Sequence, residues 1–330
     1  AYLYEHIEEN HPNLFDRIRR KVGDEQWVPV GGTYVEMDCN LPSGESLCRQ
    51  FLYGQRYLES RFGRRCRDLW NPDVFGYNGQ LPQIMKLSGI DHFLTQKLSW
   101  NRFTTPAHHT FYWEGIDGSR VLTHFPPSDT YNGTCEIAEL RYHAANYKDA
   151  DRGTQGYYLF GHGDGGGGPT TEMLETLSRT GDLQGVPRSA MRDPGDFFGR
   201  LERDMQSIPT VIGELYFELH RGTSASQAAK KRGLRKSEGL LHDVEFLGVL
   251  ADQLCGHPFD KIAVDGLWKR LLVNQFHDIL PGSSIGEVHR HAREDYAWIL
   301  DTGGSLRDEL LKKLAPAEAE AADAKPQPIN

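Results

Sequence analysis

Apolar residues recur every three to four positions in several parts of the chain, and this spacing predicts amphipathic helices. An opening helical region is predicted from Tyr4, Ile7, Phe15, Ile18 and Val22, with a break at Pro12. A second helix is predicted to start at residues 42–45, with Leu47, Phe51, Leu58 and Phe62 near one face. Residues 81–88 predict a shorter helix.

Short apolar runs that end in glycine or turn residues predict strands between these helices. We expect a strand and turn at residues 27–32, a strand end and loop at 69–75, and strands at 92–98 and 157–160. Residues 110–116 and 120–125 flank Asp117-Gly118, which is a strong hairpin signal. This order predicts an α/β, barrel-like domain with one inserted hairpin over residues 1–225.

The remainder of the chain shows only helical spacing. Three apolar series occur at residues 240–254, 268–279 and 285–299, and they are separated by Gly256-His257-Pro258 and Pro281-Gly282. A three-helix bundle over residues 226–314 is the natural packing of such segments. Residues 315–330 are mainly Ala, Glu, Lys and Pro without core positions, so we expect a disordered tail.

Composition narrows the classes of function. The 37 Lys+Arg against 46 Asp+Glu give a formal net charge of −9, which argues against a nucleic-acid partner because such binding depends on phosphate neutralisation. No apolar run approaches the roughly 18 residues of a membrane span. The five cysteines form no CxxC pair, so we expect a reducing, cytoplasmic location. A homo-oligomer is compatible with this composition.

Asp73 lies among aromatic and turn-forming residues, directly after the strand predicted near Leu69. A carboxylate at the carboxyl end of a barrel strand is typical of a catalytic residue, and neighbouring aromatic rings suit the C–H faces of a sugar. A loop aspartate that caps the next helix would have similar surroundings. The residues alone leave both interpretations open.

Asp164 lies in a glycine-rich segment, residues 160–170, that follows a predicted strand. Six glycines occur within residues 161–168, and glycine lets a backbone approach a ligand closely. The segment lacks the Gly-Lys-Ser/Thr ending of a phosphate-binding P-loop. Asp164 is therefore a candidate general acid or base. A flexible linker with a solvated aspartate would have the same sequence pattern.

His277 and Asp278 lie off the apolar stripe of their predicted helix, near its end. An adjacent His and Asp can supply one metal ligand and one partner for a hydroxyl group. A histidine near a helix C-terminus is also often a surface group stabilised by the helix dipole. His108-His109 and His289/His291 lack the HExxH spacing of a helical metal site, so we interpret them as structural or exposed.

At these residues the chain resembles the family 38 glycoside hydrolases, the retaining α-mannosidases, and most of all the branch with cytosolic, yeast vacuolar and many bacterial enzymes. The resembling stretches run in order through nearly the whole chain. They are residues 28–32, 41–45, 49–55, 72–77, 81–84, 94–101, 160–170, 213–216, 218–222 and 274–284.

The resemblance implies a catalytic role for three residues. Asp73 matches the residue that is both nucleophile and zinc ligand, and His277 matches a histidine that ligates the same zinc. Asp164 lies where the general acid/base is expected. In a retaining glycosidase two such carboxyl groups lie roughly 5–5.5 Å apart.

Four other residues are expected to contact the substrate. Asp278 matches an acid that contacts the substrate or its ring hydroxyls, and Phe75 matches an aromatic residue of the sugar subsite. Lys97 lies where relatives carry a cation near the −1 sugar. We place Tyr131 with this substrate-binding group.

The family's other two zinc ligands form a His-x-Asp motif on the first barrel strand, and His162-Gly163-Asp164 does not replace it because it belongs to the glycine-rich segment. We therefore expect an internal piece of a longer enzyme, a seven-stranded type of barrel without its first strand, that is inactive or nearly so alone. The predicted substrate is a mannose-containing oligosaccharide or glycan with a terminal α-D-mannose. The alternatives are a non-hydrolytic sugar-binding fragment and another metal-dependent carbohydrate hydrolase, such as a deacetylase.

Overall fold

The computed structural model describes residues 1–164 and 166–315. Apart from Ala315, the predicted tail lies outside the described residues. The chain divides into two compact units. The first unit contains Ala1–Gln227 together with Gln275–Ser284, and the second contains residues 228–274 and the chain from Ile285 onward.

Seven helices belong to the first unit in the described chain. They are α1 (Tyr2–Asn10), α2 (Pro12–Gly23), α3 (Gly44–Phe62), α4 (Leu81–Leu87), α5 (Ile137–Asn146), α6 (Thr171–Thr180) and α7 (Pro194–Asp204). Pro12 stands in the first turn of α2, where a missing N–H costs no helical bond. The Ser43 side chain accepts the Ser46 N–H at the start of α3, and Gly63 ends this helix with a φ of 67°. The predicted opening break and the predicted start of α3 are confirmed.

Five strands form one mixed sheet in the order β1-β2-β4-β3-β5. They are β1 (Asp68–Trp70), β2 (His92–Leu94), β3 (Thr110–Glu114), β4 (Arg120–His124) and β5 (Thr210–Ile212). Strands β1, β2 and β4 are parallel, and β3 pairs antiparallel with β4 as the predicted hairpin. The fold is therefore mixed α/β. Among the described residues the sheet is open, with β1 and β5 at its edges, and does not close into a barrel.

Two predicted strands are wrong, and one is too long. Residues 27–32 form no strand, because Gly31 and Gly32 both take positive φ angles and the Gly31 N–H turns to the Asp68 carboxylate. Residues 157–160 are half-buried and contribute only an isolated bridge between Phe160 and Gly133. β2 ends at Leu94, and the chain continues into a 3₁₀ turn at Lys97–Trp100.

The core of the first unit lies beneath the sheet and α3. Leu69, Tyr77, Phe93 and Trp113 are fully buried there. The rings of Tyr77 and Phe93 meet edge to face, with centroids 4.9 Å apart. This packing fixes the chain on both sides of the loop that carries Asp73.

The second unit contains α8 (Ala228–Cys255), α9 (Lys261–Val273) and α10 (Gly286–Leu314), and each helix packs against the other two. The predicted helix at 268–279 is wrong beyond Val273, because the chain leaves α9 there and residues 275–284 pack in the first unit. No helix in the described part of the chain has the length and apolar character that crossing a membrane requires.

Candidate active site

The loop after β1 places Asp73 beside Lys97. The Asn71 N–H donates to the carbonyl oxygen of Leu94 over 3.0 Å, which extends the pairing of β1 and β2. The carbonyl oxygen of Pro72 then accepts the N–H of Lys97 over 2.9 Å. Because β1 and β2 are parallel neighbours, Asp73 and Lys97 both lie beyond the carboxyl ends of these strands, on the same side of the sheet.

Residues 275–277 reach the carboxyl ends of these strands by pairing with the segment between α2 and α3. The Asp38 N–H donates to Gln275 over 2.8 Å, and the His277 N–H donates to the Glu36 carbonyl over 3.1 Å. Met37 and Phe276 form an antiparallel bridge between these two donors. His277 is thereby held by backbone hydrogen bonds although it lies outside any helix.

Three side chains with metal-binding atoms meet here. His277 Nε2 lies 3.3 Å from Asp73 Oδ2 and 3.6 Å from Asp278 Oδ2. On its other side Asp73 bonds through Oδ1 to the Lys97 ammonium group, which is buried. Ser283 donates to Asp278 Oδ1 over 2.6 Å, so this carboxylate is also oriented.

Aromatic rings flank the cluster. The half-buried Phe75 ring lies 4.8 Å from His220 and 6.1 Å from His277, measured between ring centroids. Lys97 Nζ lies 5.4 Å from the centroid of Phe75 and 3.9 Å from that of Trp100. These cation–π contacts add to the ion pair between Lys97 and Asp73.

The surroundings of Asp73 favour its ionised form. Burial acts to raise the pKa of this carboxyl group, but hydrogen bonds from His277 and Lys97 outweigh burial and lower the pKa below its ordinary value. Asp73 is therefore a carboxylate at neutral pH. An ionised carboxylate with one oxygen bound by lysine is suited to nucleophilic attack.

His277 experiences the opposite balance. Burial acts to lower its pKa, but the hydrogen bond to Asp73 and the charges of Glu36, Asp278 and Asp73 raise the pKa to about 9. Burial raises the pKa of Glu36, and the charge of His277 and the Asp73 N–H partly offset this effect. The negative charges of Asp73, Asp278 and Glu36 thus favour a positive charge at His277.

The donor set fits a divalent metal ion. Ligand atoms of Asp73, His277 and Asp278 all lie within 4.8 Å of one another. A mixture of carboxylate oxygen and imidazole nitrogen suits zinc and its neighbours in the first transition series. Asp278, expected to contact substrate, therefore also lies in position to bind the metal.

The glycine-rich segment forms a closed loop that carries Asp164. The His162 N–H donates to the Gly168 carbonyl over 3.0 Å, and Gly161 takes a φ of 108° where a Cβ would lie 2.8 Å from Gly168. The Gly163 N–H donates to Asn132 Oδ1 over 2.6 Å, which anchors the loop. Asp164 itself is exposed.

Tyr131 connects this loop electrostatically with the cluster. Burial raises the pKa of the Tyr131 hydroxyl, followed by the negative charges of Asp73 and Asp164 and a hydrogen bond to Asp73. The Tyr131 hydroxyl is therefore neutral at neutral pH, and its pKa responds to the charges of both Asp73 and Asp164.

The structure brings most of the predicted site residues together. One cluster contains Asp73, Phe75, Lys97, His277 and Asp278. Sequence analysis missed Glu36 and Trp100 and did not single out His220. His220 and Trp100 lie in stretches quoted for the resemblance, whereas Glu36 lies between two of those stretches without a recognisable spacing.

Comparison with known families identifies the two parts of the chain. Residues 1–214 match the glycosyl hydrolases family 38 N-terminal domain, and residues 218–314 match the alpha mannosidase middle domain. The chain belongs to glycoside hydrolase family 38.

Individual relatives agree with this family. Alpha-mannosidase G of Dictyostelium discoideum is 50% identical over 285 residues, which cover 86% of this chain and 26% of that protein. Human Alpha-mannosidase 2C1 is 45% identical over 319 residues, covering 96% of this chain and 31% of that protein. The chain thus spans about a quarter to a third of these relatives.

A solved structure shares the fold. An alpha-mannosidase from Enterococcus faecalis V583 superposes with a TM-score of 0.79 at 22% identity, covering 93% of this chain and 36% of that one. At this identity the similarity shows the fold alone.

Proposed function

We propose that the protein containing this chain is a metal-dependent retaining α-mannosidase that removes terminal α-D-mannose from oligosaccharides or glycans. The observation that carries the proposal is the ionised Asp73 carboxylate, bound by Lys97 and His277 within a cluster of metal-binding atoms. Relatives named alpha-mannosidase, with which the chain shares 42 to 50% identity, support the same substrate class.

In the proposed reaction Asp73 attacks the anomeric carbon and forms a glycosyl ester while the bond to the leaving oxygen breaks. Asp164 gives its proton to that oxygen in the first step. It then takes a proton from the water that cleaves the ester, so both groups return to their starting states. Lys97 holds one oxygen of Asp73, and Phe75 offers an aromatic surface to the sugar ring.

We propose zinc as the metal, held by Asp73 and His277 with Asp278 beside them. The ion would supply Lewis-acid stabilisation of sugar hydroxyl oxygens. The Ser283 bond orients Asp278 for contact with the metal or with a ring hydroxyl.

The proposal is tested on the natural protein that contains this sequence, with Asp73→Asn. Turnover of 4-nitrophenyl α-mannoside should fall by orders of magnitude, because an amide cannot form the glycosyl ester. A 2-deoxy-2-fluoro mannosyl-type fluoride should label wild type at Asp73 and leave the variant unlabelled, as peptide mapping would show. Asp68→Asn, the same change at the start of β1, serves as the control and should keep trapping.

Label on another acid would overturn the assignment of Asp73. Tight mannoside binding without turnover or labelling in wild type would identify a sugar-binding protein. Release of acetate from an acetylated sugar would identify a deacetylase.

A further inference from the structure

Glu36 joins the two parts of the cluster. Its Oε1 accepts the Asp73 N–H over 3.1 Å. Its carbonyl oxygen accepts the His277 N–H over 3.1 Å and also lies 3.1 Å from His277 Nδ1. One residue therefore binds the backbone of the nucleophile and both the backbone and the ring of the metal-binding histidine.

The contact with the carbonyl oxygen orients the imidazole ring. A carbonyl oxygen can only accept, so the Nδ1–H donates to it. The other nitrogen, Nε2, faces Asp73 Oδ2 and Asp278 Oδ2, at 3.3 and 3.6 Å. Hydrogen bonds of this kind orient metal-binding histidines and strengthen their binding.

The Glu36 side chain is not needed to pair the two segments. The Met37–Phe276 bridge and the bond from Asp38 to Gln275 already join them through the backbone. A third half-buried carboxylate beside Asp73 and Asp278 is unfavourable for stability. What this side chain adds is the bond to the Asp73 N–H, which joins the loop of Asp73 to the segment of His277, and a second oxygen, Oε2, that lies 3.8 Å from His277 Nδ1.

We propose that Glu36 is a positioning residue that fixes Asp73 and His277 relative to each other, so that their ligand atoms converge on one metal ion and Asp73 faces the sugar. This inference rests on the proposed function. The proposed role depends on the length of the Glu36 side chain and not on its charge, because the Asp73 N–H needs an oxygen acceptor at the distance that a glutamate side chain spans.

Two conservative variants separate reach from charge. Glu36→Gln keeps an oxygen acceptor at the same reach and removes the charge, whereas Glu36→Asp keeps the charge and withdraws the acceptor by one methylene. Both are made in the natural protein that contains this chain. Asp38→Ala is the control, because it removes the Asp38 Oδ1 atom that accepts the N–H groups of Asn40 and Leu41 in the same segment.

Metal affinity is measured by titrating metal-free protein with Co²⁺ and Zn²⁺ against a chelator, together with the visible spectrum of the Co²⁺ form. Glu36→Asp should weaken metal affinity roughly 10- to 100-fold, alter the Co²⁺ spectrum, and lower kcat more than it raises KM. Glu36→Gln should stay within about threefold of wild type. Asp38→Ala should leave the Co²⁺ spectrum unchanged.

Each outcome bears on a different claim. Wild type that binds neither metal would overturn the proposed function. Wild type that binds metal with Glu36→Asp indistinguishable from it would overturn the role of Glu36. A loss in Glu36→Gln as large as that in Glu36→Asp would show that the charge is required as well as the length of the side chain, and would also contradict the proposal. Thermal unfolding of the metal-free variants identifies any loss that comes from misfolding.

Discussion

Asp73 and His277 carry opposite charges in an environment that opposes both. Burial acts to raise the pKa of the carboxyl group and to lower that of the imidazole, yet their mutual contact reverses both effects. Removing either partner would withdraw the hydrogen bond that offsets burial of the other, and would leave Asp73 with Lys97 and His277 with Glu36 and Asp278. The pair therefore acts as a unit, and effects of changes in Asp73 and His277 will not add.

At the residue scale, the sequence predicted most of the side chains that meet in the cluster and missed Glu36, which contacts two of them. The residues alone left the roles of Asp73 and His277 open, and the resemblance to family 38 singled them out. Glu36 makes its contacts with a backbone N–H and through its own carbonyl group. Contacts with backbone groups depend on the tertiary path of the chain. They require no particular residue type in the partner, so no sequence pattern reveals them.

Asp164→Ala tests the acid/base at this scale. Substrates with poor leaving groups need a proton in the first step, so their kcat/KM should fall by orders of magnitude, whereas activated aryl mannosides should lose little in that step. Azide should restore turnover of the aryl mannosides, because it can cleave the glycosyl ester without a general base. The exposed loop neighbour His162→Ala is the control. Equal losses on every leaving group, without azide rescue, would identify a purely structural loop.

At the scale of elements, the sequence predicts helices and strands well where local signals determine them. It predicts them poorly where a distant part of the chain determines them. Helix α3 begins at a serine cap and ends at a left-handed glycine, both of which are local signals. Residues 27–32 look equally regular as a strand, but a strand requires a partner, and here the Gly31 N–H goes to a side chain. Residues 268–279 kept helical spacing past Val273, although the chain turns back to pair with residues 36–38.

The loop of residues 101–104, next to Trp100, depends on one carboxylate. Glu218 is buried and accepts the N–H groups of Arg102, Phe103 and Thr104, while Asn101 Oδ1 accepts the Glu218 N–H. These backbone donors, above all that of Phe103, lower the pKa of Glu218 to about 2. Glu218 therefore stays ionised, and keeps these hydrogen bonds, well below neutral pH.

Glu218→Ala should release this loop. The amide protons of residues 102–104 should exchange with solvent roughly tenfold faster or more, because charge-assisted hydrogen bonds are lost. Glu214→Ala, which changes an exposed glutamate on the same strand-like segment, should leave the exchange unchanged. Undiminished protection in Glu218→Ala would show that other contacts hold the loop.

At the scale of the whole molecule, the site depends on a segment that leaves one unit and returns to the other. Gln275–Ser284 lies between α9 and α10 in the chain but belongs to the first unit. Hydrophobic periodicity describes neighbours along the chain and cannot reveal such a return. The motif around His277 was informative because residues 274–284 resemble a family 38 motif. Its place in the fold could not be predicted.

Buried histidines give the first unit a pH-dependent stability. Burial lowers the pKa of His109 and His143 to about 4 and that of His124 well below its ordinary value of 6.5. In the unfolded chain these rings take up protons below about pH 6.5, whereas in the folded protein they stay neutral until about pH 4. The stability that they contribute is therefore complete above pH 6.5 and declines as the pH falls towards 4.

Asp68 acts in the opposite direction over part of this range, because burial raises its pKa to about 6 and its protonation favours the folded state. The three histidines with lowered pKa outweigh the one aspartate with a raised pKa. Urea unfolding should therefore show a midpoint that falls steadily from pH 7 to pH 4.5. His143→Gln should flatten this decline by removing one titrating ring, whereas the exposed His6→Gln should not. A decline of unchanged slope in His143→Gln would assign the acid sensitivity to other groups.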